Sequence, residues 1–184
     1  MSGALEPEAA DTVFQVDPFA CEGCGVCALV CPVDAVRLHP SVAGELMLYR
    51  NDSIFSTSQL NMGSGTSGKL VTEVKGQLKT FWNDADIVII DGSPGIGCPV
   101  IASLSGVDMV LIVAEPTISG ISDMDRIVKT AATFHVQTAV CINKYDVNLK
   151  NTEHIMEYCH KGKIPYVGII PFDPGAVSAI NNGL

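Results

Sequence analysis

Met109-Val110-Leu111-Ile112-Val113-Ala114-Glu115-Pro116-Thr117 is a run of six apolar residues that stops abruptly at a charge, a proline and a hydroxyl. A short, continuously apolar segment with no polar alternation suits a strand of a parallel sheet covered on both faces. The same grammar recurs on either side. Ile87–Ile90 is apolar and ends at Asp91; Thr138–Ile142 ends at Asn143; Tyr166–Ile170 ends at Pro171.

Between these runs the apolar spacing changes to three and four. Leu70, Val71, Val74, Leu78 and Phe81 form one helical stripe. Ile121, Met124, Ile127, Val128, Ala131 and Phe134 form a second, with Ser122 as its expected cap. Ile155, Met156 and Cys159 lie on a third, with Thr152 as the expected cap and Gly162 as the stop; Asp173-Pro174 opens a last helix with proline at its first position. Strand–helix alternation over 67–184 predicts a doubly wound, mostly parallel α/β sheet, with any ligand beyond the C-terminal ends of its strands.

That edge is where the polar residues gather. An apolar strand delivering one carboxylate, Asp91, followed by Gly92, Ser93, Pro94 and Gly95, is the arrangement that holds Mg²⁺ beside a triphosphate and senses its terminal phosphate. The plainer reading is an aspartate that starts a turn. Asn143-Lys144-Tyr145-Asp146 ends the third run as a base-recognition loop does: asparagine for a purine edge, lysine along the ring. Pro171-Phe172-Asp173 forms a neighbouring rim loop. The phosphate cradle itself is missing. Gly63-Ser64-Gly65-Thr66-Ser67-Gly68-Lys69-Leu70 imitates it, but leucine replaces the hydroxyl that would touch Mg²⁺, and polar residues 56–61 make a poor central strand before it.

The N-terminal third speaks a different chemistry. Cys21, Cys24, Cys27 and Cys31, the last followed by Pro32, have the spacing that wraps a bacterial [4Fe–4S] cluster. Zinc sites pair two separated hooks, whereas these hooks overlap in one run. Because the cysteine before proline binds the other cluster in two-cluster ferredoxins, three arrangements stay open for Cys31. It closes its own cluster, it serves a partner half outside this chain, or a remote cysteine such as Cys98, also followed by proline, supplies a ligand. The plainer reading of Cys98, and of Cys141 and Cys159, is a small apolar residue. Residues 1–20 read as a lead with a short strand at 13–16. Residues 21–66 read as a ferredoxin-like α+β module with a ligand loop, a helix at Val26–Val30, a strand at Ala35–Leu38 and a hairpin from Glu45–Tyr49 and Ser53–Ser56.

Composition excludes several classes. A net charge of −9, from 11 basic and 20 acidic residues, argues against nucleic acid and anionic membrane surfaces as partners. No apolar run approaches the roughly 20 residues needed to span a bilayer. Seven cysteines, four of them in a metal-type run, suit a reducing cytoplasm. Residues 1–10 lack the basic and apolar regions of a signal peptide.

Together, CEGCGVCALVCPVDAV, SGKLVTEVK, IVIIDGSPGIGCPVIAS, EPTISGISDMDR and INKYD resemble the MinD/ParA-like P-loop ATPases that contain an inserted ferredoxin domain. The resemblance runs from about Phe14 to the C-terminus and implies an incomplete P-loop fold, because the family's two-lysine Walker A and first cysteine run have no counterpart here. It implies ATP and Mg²⁺ as ligands, with Asp91 as the Walker-B residue, Gly92, Pro94 and Gly95 as the switch, and Asn143, Lys144, Asp146, Pro171 and Asp173 around the base. In the related nitrogenase iron protein a cluster-ligating cysteine occupies a place similar to that of Cys98, so the resemblance implies a comparable role here as a hypothesis. The expected partners are a redox protein and either a second copy of the chain or a missing N-terminal half. Two functions follow: a cluster-bearing electron-transfer protein coupled to ATP, or a non-enzymatic redox subunit or cluster carrier on a degenerate ATPase body. Zinc in a purely structural role is the third.

Overall fold

A computed structural model describes residues 5–7, 14–17, 20–21, 23–64, 67–81, 85–93, 95 and 97–183. The chain divides into two compact units, 1–90 and 91–184. The boundary drawn from sequence at 66/67 falls inside the first unit, because the helix after it packs on the preceding hairpin.

In the first unit β1 (Leu5–Pro7) pairs antiparallel with β2 (Phe14–Val16). Helix α1 is Val26–Val30, as the sequence predicts. Residues 35–38, expected as a strand, have no regular structure. Strand formation needs a partner, and the hairpin formed by β3 (Gly44–Arg50) and β4 (Ile54–Leu60) pairs with itself alone among the described residues. Helix α2 (Ser67–Leu78) lies against this hairpin. The Ser56 hydroxyl donates to the Val74 carbonyl at 2.9 Å, and the Arg50 guanidinium stacks on the Phe81 ring at 4.7 Å. The strand before α2 is therefore an antiparallel ribbon strand, which is not the setting of a phosphate-binding loop.

The second unit contains α3 (Cys98–Leu104), β5 (Met109–Ala114), α4 (Ile118–Thr133), β6 (Gln137–Asn143), a 3₁₀ turn (Tyr145–Val147), α5 (Leu149–Gly162), β7 (Tyr166–Ile170) and α6 (Pro174–Asn181). Strands β5, β6 and β7 form a parallel sheet in that order. The register sets Ile112 beside Val140 and Ala114 beside Ile142. These four side chains meet Met124 of α4 and Ile155 and Cys159 of α5 in one buried cluster. Burial pushes the Cys159 thiol up, as expected of a core cysteine.

Three expectations need correction. Ile87–Ile90 is not a strand, and Ile87 and Ile89 stand 79 and 87 % exposed. Its β-branched residues favour extended backbone, but no described strand offers it a ladder, and propensity without pairing does not make a strand. The caps differ too. Thr117, not Ser122, caps α4, its hydroxyl accepting from Gly120 N–H at 3.0 Å. Asn148, not Thr152, caps α5, its side-chain oxygen accepting from Asn151 N–H at 3.1 Å. The Asp173 cap and Pro174 start of α6 stand as read.

Candidate functional site

The cysteine loop is shaped by glycine. Gly23 and Gly25 have φ of 62° and 77°, left-handed backbone that other residues adopt at a cost. Gly25 is also the N-cap of α1, and a Cβ there would meet Leu38 Cδ1 at 3.2 Å. The turn delivers Cys27 on the first turn of α1 and Cys31 at its C-cap. Backbone donors then converge on one sulfur. Cys31 Sγ accepts from Ala35 N–H at 3.2 Å. The N–H of Val33 first, then that of Ala35, with Val36 and Asp34 adding, holds the Cys31 thiol below its ordinary value, against a smaller opposing effect of desolvation. A metal ligand must be a thiolate, so this is the electrostatic preparation that an iron–sulfur ligand needs.

Cys21, Cys27 and Cys31 are half-buried and Cys24 is exposed. Among the described residues no three His, Cys, Asp or Glu side chains converge on a point that could hold a metal. The donor types and the Cys31 amide nest fit a cluster. Among the described residues the four sulfurs are not gathered around one position, and Cys98 is exposed at the first residue of α3.

The C-terminal edge of the β5–β7 sheet is tied together by its own polar groups. Lys144 has left-handed backbone, and its Nζ reaches Glu115 Oε1 at 2.6 Å, joining the ends of β6 and β5. Asp146 Oδ1 accepts from Phe172 N–H at 2.7 Å, joining the β6 and β7 loops. Asn151 Nδ2 donates to the Pro116 carbonyl at 3.0 Å. The buried Thr152 hydroxyl donates to the Tyr145 carbonyl at 2.7 Å. Asp173 Oδ1 accepts from Gly175 N–H at 2.7 Å. Asn143, Lys144, Asp146, Pro171 and Asp173 thus share one rim, but Lys144, Asp146 and Asp173 hold loops and a helix start in place. Asp91 and Gly92 lie in irregular, exposed backbone; Gly95 has φ of 89°; Pro94 lies outside the described residues. Among the described residues no hydrogen bond or ion pair holds the Asp91 carboxylate.

Sequence reasoning missed Glu115, Asn151 and the real work of Thr152. The Glu115–Lys144 pair had a readable signal, opposite charges ending two consecutive strands. The Asn151 and Thr152 bonds had none, because each depends on a loop 35 and 7 residues away.

Residues 14–37, which contain all four cysteines of the run, match the 4Fe-4S binding domain family. The chain is 34 % identical to uncharacterized protein MJ0578 of Methanocaldococcus jannaschii over 62 % of its own length and 37 % of that protein's. It is 28 % identical to uncharacterized protein MJ0579 of the same organism over 79 % of its length and 51 % of the relative's. A shorter stretch, 53 % of the chain and 37 % of the relative, is 30 % identical to uncharacterized ATP-binding protein MJ0547. The chain therefore spans about a third to a half of the curated relatives it matches. The domain match supports a [4Fe–4S] cluster and an electron-transfer role; the third relative is a distant hint toward nucleotide. No described helix is long and apolar enough to cross a membrane.

Proposed function

We propose that this chain is a cytoplasmic iron–sulfur electron-transfer module joined to a nucleotide-responsive body of the MinD/ParA-like kind. The observation that carries the reading is the Cys21–Cys31 run, lying inside the matched segment and ending in a sulfur seated on backbone N–H groups. Cys21, Cys24, Cys27 and Cys31 would hold the cluster, the loop drawing its thiolates together as it binds. A bound cluster supplies one-electron storage, taken from a reduced protein partner and passed to an oxidised one. The chain's own part is to supply the thiolates, to stabilise the Cys31 thiolate, and to leave Cys24 at the surface, toward the partner.

In the body, Asp91 would hold Mg²⁺ beside ATP, with Gly92, Pro94 and Gly95 as the switch and Asn143, Lys144, Asp146, Pro171 and Asp173 framing the base. Cys98, exposed just after the switch, would report nucleotide state to a cluster. The nucleotide reading is supported by the shared rim and by similarity to an ATP-binding protein. None of residues 1–184 supplies the phosphate cradle that such a site also needs.

A second reading has an observation in its favour. Lys144, Asp146 and Asp173 are already engaged in fixing loops, and the cradle imitation follows a hairpin strand. On that reading the body is a scaffold and the chain a non-enzymatic redox subunit or cluster carrier.

The test is anaerobic purification with iron and sulfide analysis. Iron and sulfide in equal amounts, with visible absorption bleached by dithionite, are expected. Colourless protein that holds zinc and resists reconstitution would overturn the cluster reading. ATP binding with and without Mg²⁺, compared with Asp91→Ala, separates the two functions: Mg²⁺-dependent binding lost in the variant supports coupling, and no binding by either protein supports the scaffold.

A further inference from the structure

Helix α1 turns its apolar side to solvent. Val26, Leu29 and Val30 stand at i, i+3 and i+4, the spacing that puts side chains on one helical face, and Val33 follows two residues after the C-cap. Such a stripe ordinarily faces a core. Here the four residues are 51, 86, 67 and 76 % exposed, and α1 has no buried residue. Ala28 and the two ligand candidates Cys27 and Cys31 are half-buried instead. Cys27 and Cys31 follow Val26 and Val30 in sequence and so stand about 100° further round the helix axis. The stripe therefore borders the sulfurs. Leu38, exposed and close to the Gly25 N-cap, lies at the start of the same helix.

The local charge indicates what meets this border. Residues 23–44 carry one acidic residue, Asp34, and one basic residue, Arg37, which cancel, so the chain's net charge of −9 lies elsewhere. A charged partner face finds nothing here to pair with, and would lose hydration without recompense. An apolar partner face finds four aliphatic side chains already at the surface. The position adds a second argument. An electron enters or leaves a cluster past the residues around its ligands, so whatever exchanges electrons with this cysteine run approaches over the stripe. Small, weak interfaces are also the kind that electron-transfer encounters use.

We infer that the Val26–Leu29–Val30–Val33 stripe is the docking surface of the redox partner, and that the partner presents an apolar, uncharged face around its own redox centre. This rests on the cluster reading above and names the surface and chemistry by which the partner finds that site. In the docked pair the reduced cluster gives one electron to the partner's oxidised centre, and no covalent bond forms or breaks. Contact of this kind is non-directional and insensitive to salt.

The test replaces the unidentified partner by surfaces of known chemistry. The full chain, purified anaerobically with its cluster, is applied to gold electrodes coated with alkanethiols of one length that end in methyl or in ammonium groups. Voltammetry reads the cluster of bound protein, and only signal at the potential measured in solution is counted. The methyl surface should give the stronger cluster signal, at a half-coverage concentration unchanged by added salt. Leu29→Ser removes an exposed side chain and should fold; it should raise that concentration about tenfold, the effect of losing one leucine from an apolar contact. Val33→Ser should act in the same direction. Met62→Ser, at an equally exposed residue outside the stripe, should change nothing. Three results overturn the inference: a stronger cluster signal on the ammonium surface, full affinity in both Leu29→Ser and Val33→Ser, or an equal loss in Met62→Ser. A dimer in light scattering that Leu29→Ser dissociates would make a second copy the occupant and also overturn it. Iron and visible absorption are measured in every sample. Iron-loaded protein that fails on the methyl surface refutes the docking surface alone, whereas protein that takes up no iron refutes the cluster reading and this inference with it.

Discussion

The two units are built on different principles. The second is held by a buried apolar cluster between sheet and helices, with Val140, Ile142 and Ile155 fully shielded from water. In the first, the only described residue that counts as buried is Lys75, still 9 % exposed, whose ammonium is pushed below its ordinary pKa by desolvation and then by Lys79. Its two-stranded ribbons and two helices bury little apolar area, so a bound cluster would add to what holds the unit. The difference teaches where each unit's order comes from: packing in one, and in the other backbone hydrogen bonds together with, on the cluster reading, ligation.

The largest expected effect breaks the first unit alone. Cys24→Ala should abolish bound iron. Structural metal sites contribute on the order of 10 kcal/mol of folding free energy, so amide protection around α1 should collapse while β5–β7 keeps its hydrogen-exchange pattern. Collapse of both units together, or of neither, would contradict the division. Ile155→Ala is the mirror experiment. It removes the centre of the second core and should cost about 2–5 kcal/mol, read as a lower urea midpoint of the second unit. Iron content should not change.

What was legible in the residues follows the same division. Apolar runs and helical stripes located β5, β6, β7, α4 and α5, because their packing is periodic and local in sequence. Helix α1 and the cysteine spacing were legible because a cluster demands them. Ile87–Ile90 misled, since a strand is a relation between segments and no single segment contains it. The caps misled for a related reason: Thr152 has the chemistry of a cap, but its hydroxyl is turned inward onto the Tyr145 carbonyl. Asn143 and Pro171 end neighbouring parallel strands, while the pairings of Lys144 with Glu115 and of Asp146 with Phe172 needed three-dimensional neighbours to be seen.

A smaller effect sharpens the comparison inside the second unit. Thr152→Val keeps the shape of a buried side chain and removes its donor. The Tyr145 carbonyl is left without that bond, at a cost of about 1–3 kcal/mol, and the loop carrying Asn143, Lys144 and Asp146 loosens. Faster amide exchange at Tyr145–Val147 with β5 unchanged is the expected pattern; a uniform loss across the unit would make Thr152 an ordinary core residue.

The smallest effect is a pH dependence inside the second unit. The Tyr158 hydroxyl donates to Asp125 Oδ1 at 2.8 Å, and Lys129 Nζ reaches Asp125 Oδ2 at 2.7 Å. Burial, and then the Asp125 hydrogen bond and charge, pushes the Tyr158 phenol from 10.0 up to about 12. The bonds from Lys129 and Tyr158 hold the Asp125 carboxyl below its usual range. For Tyr158 the folded chain retains its proton to higher pH than the unfolded chain does. Its contribution is therefore complete below pH 10 and fades as pH rises toward 12. For Asp125 the sign reverses: its contribution is present above the ordinary carboxylate range and disappears in acid. Tyr158→Phe should cost stability at neutral pH, and the gap to the unsubstituted protein should close between pH 10 and about 12, measured by urea unfolding across that window. A gap of constant size would mean that the phenol titrates alike in both states, and that the Tyr158–Asp125 bond does nothing to join α4 to α5.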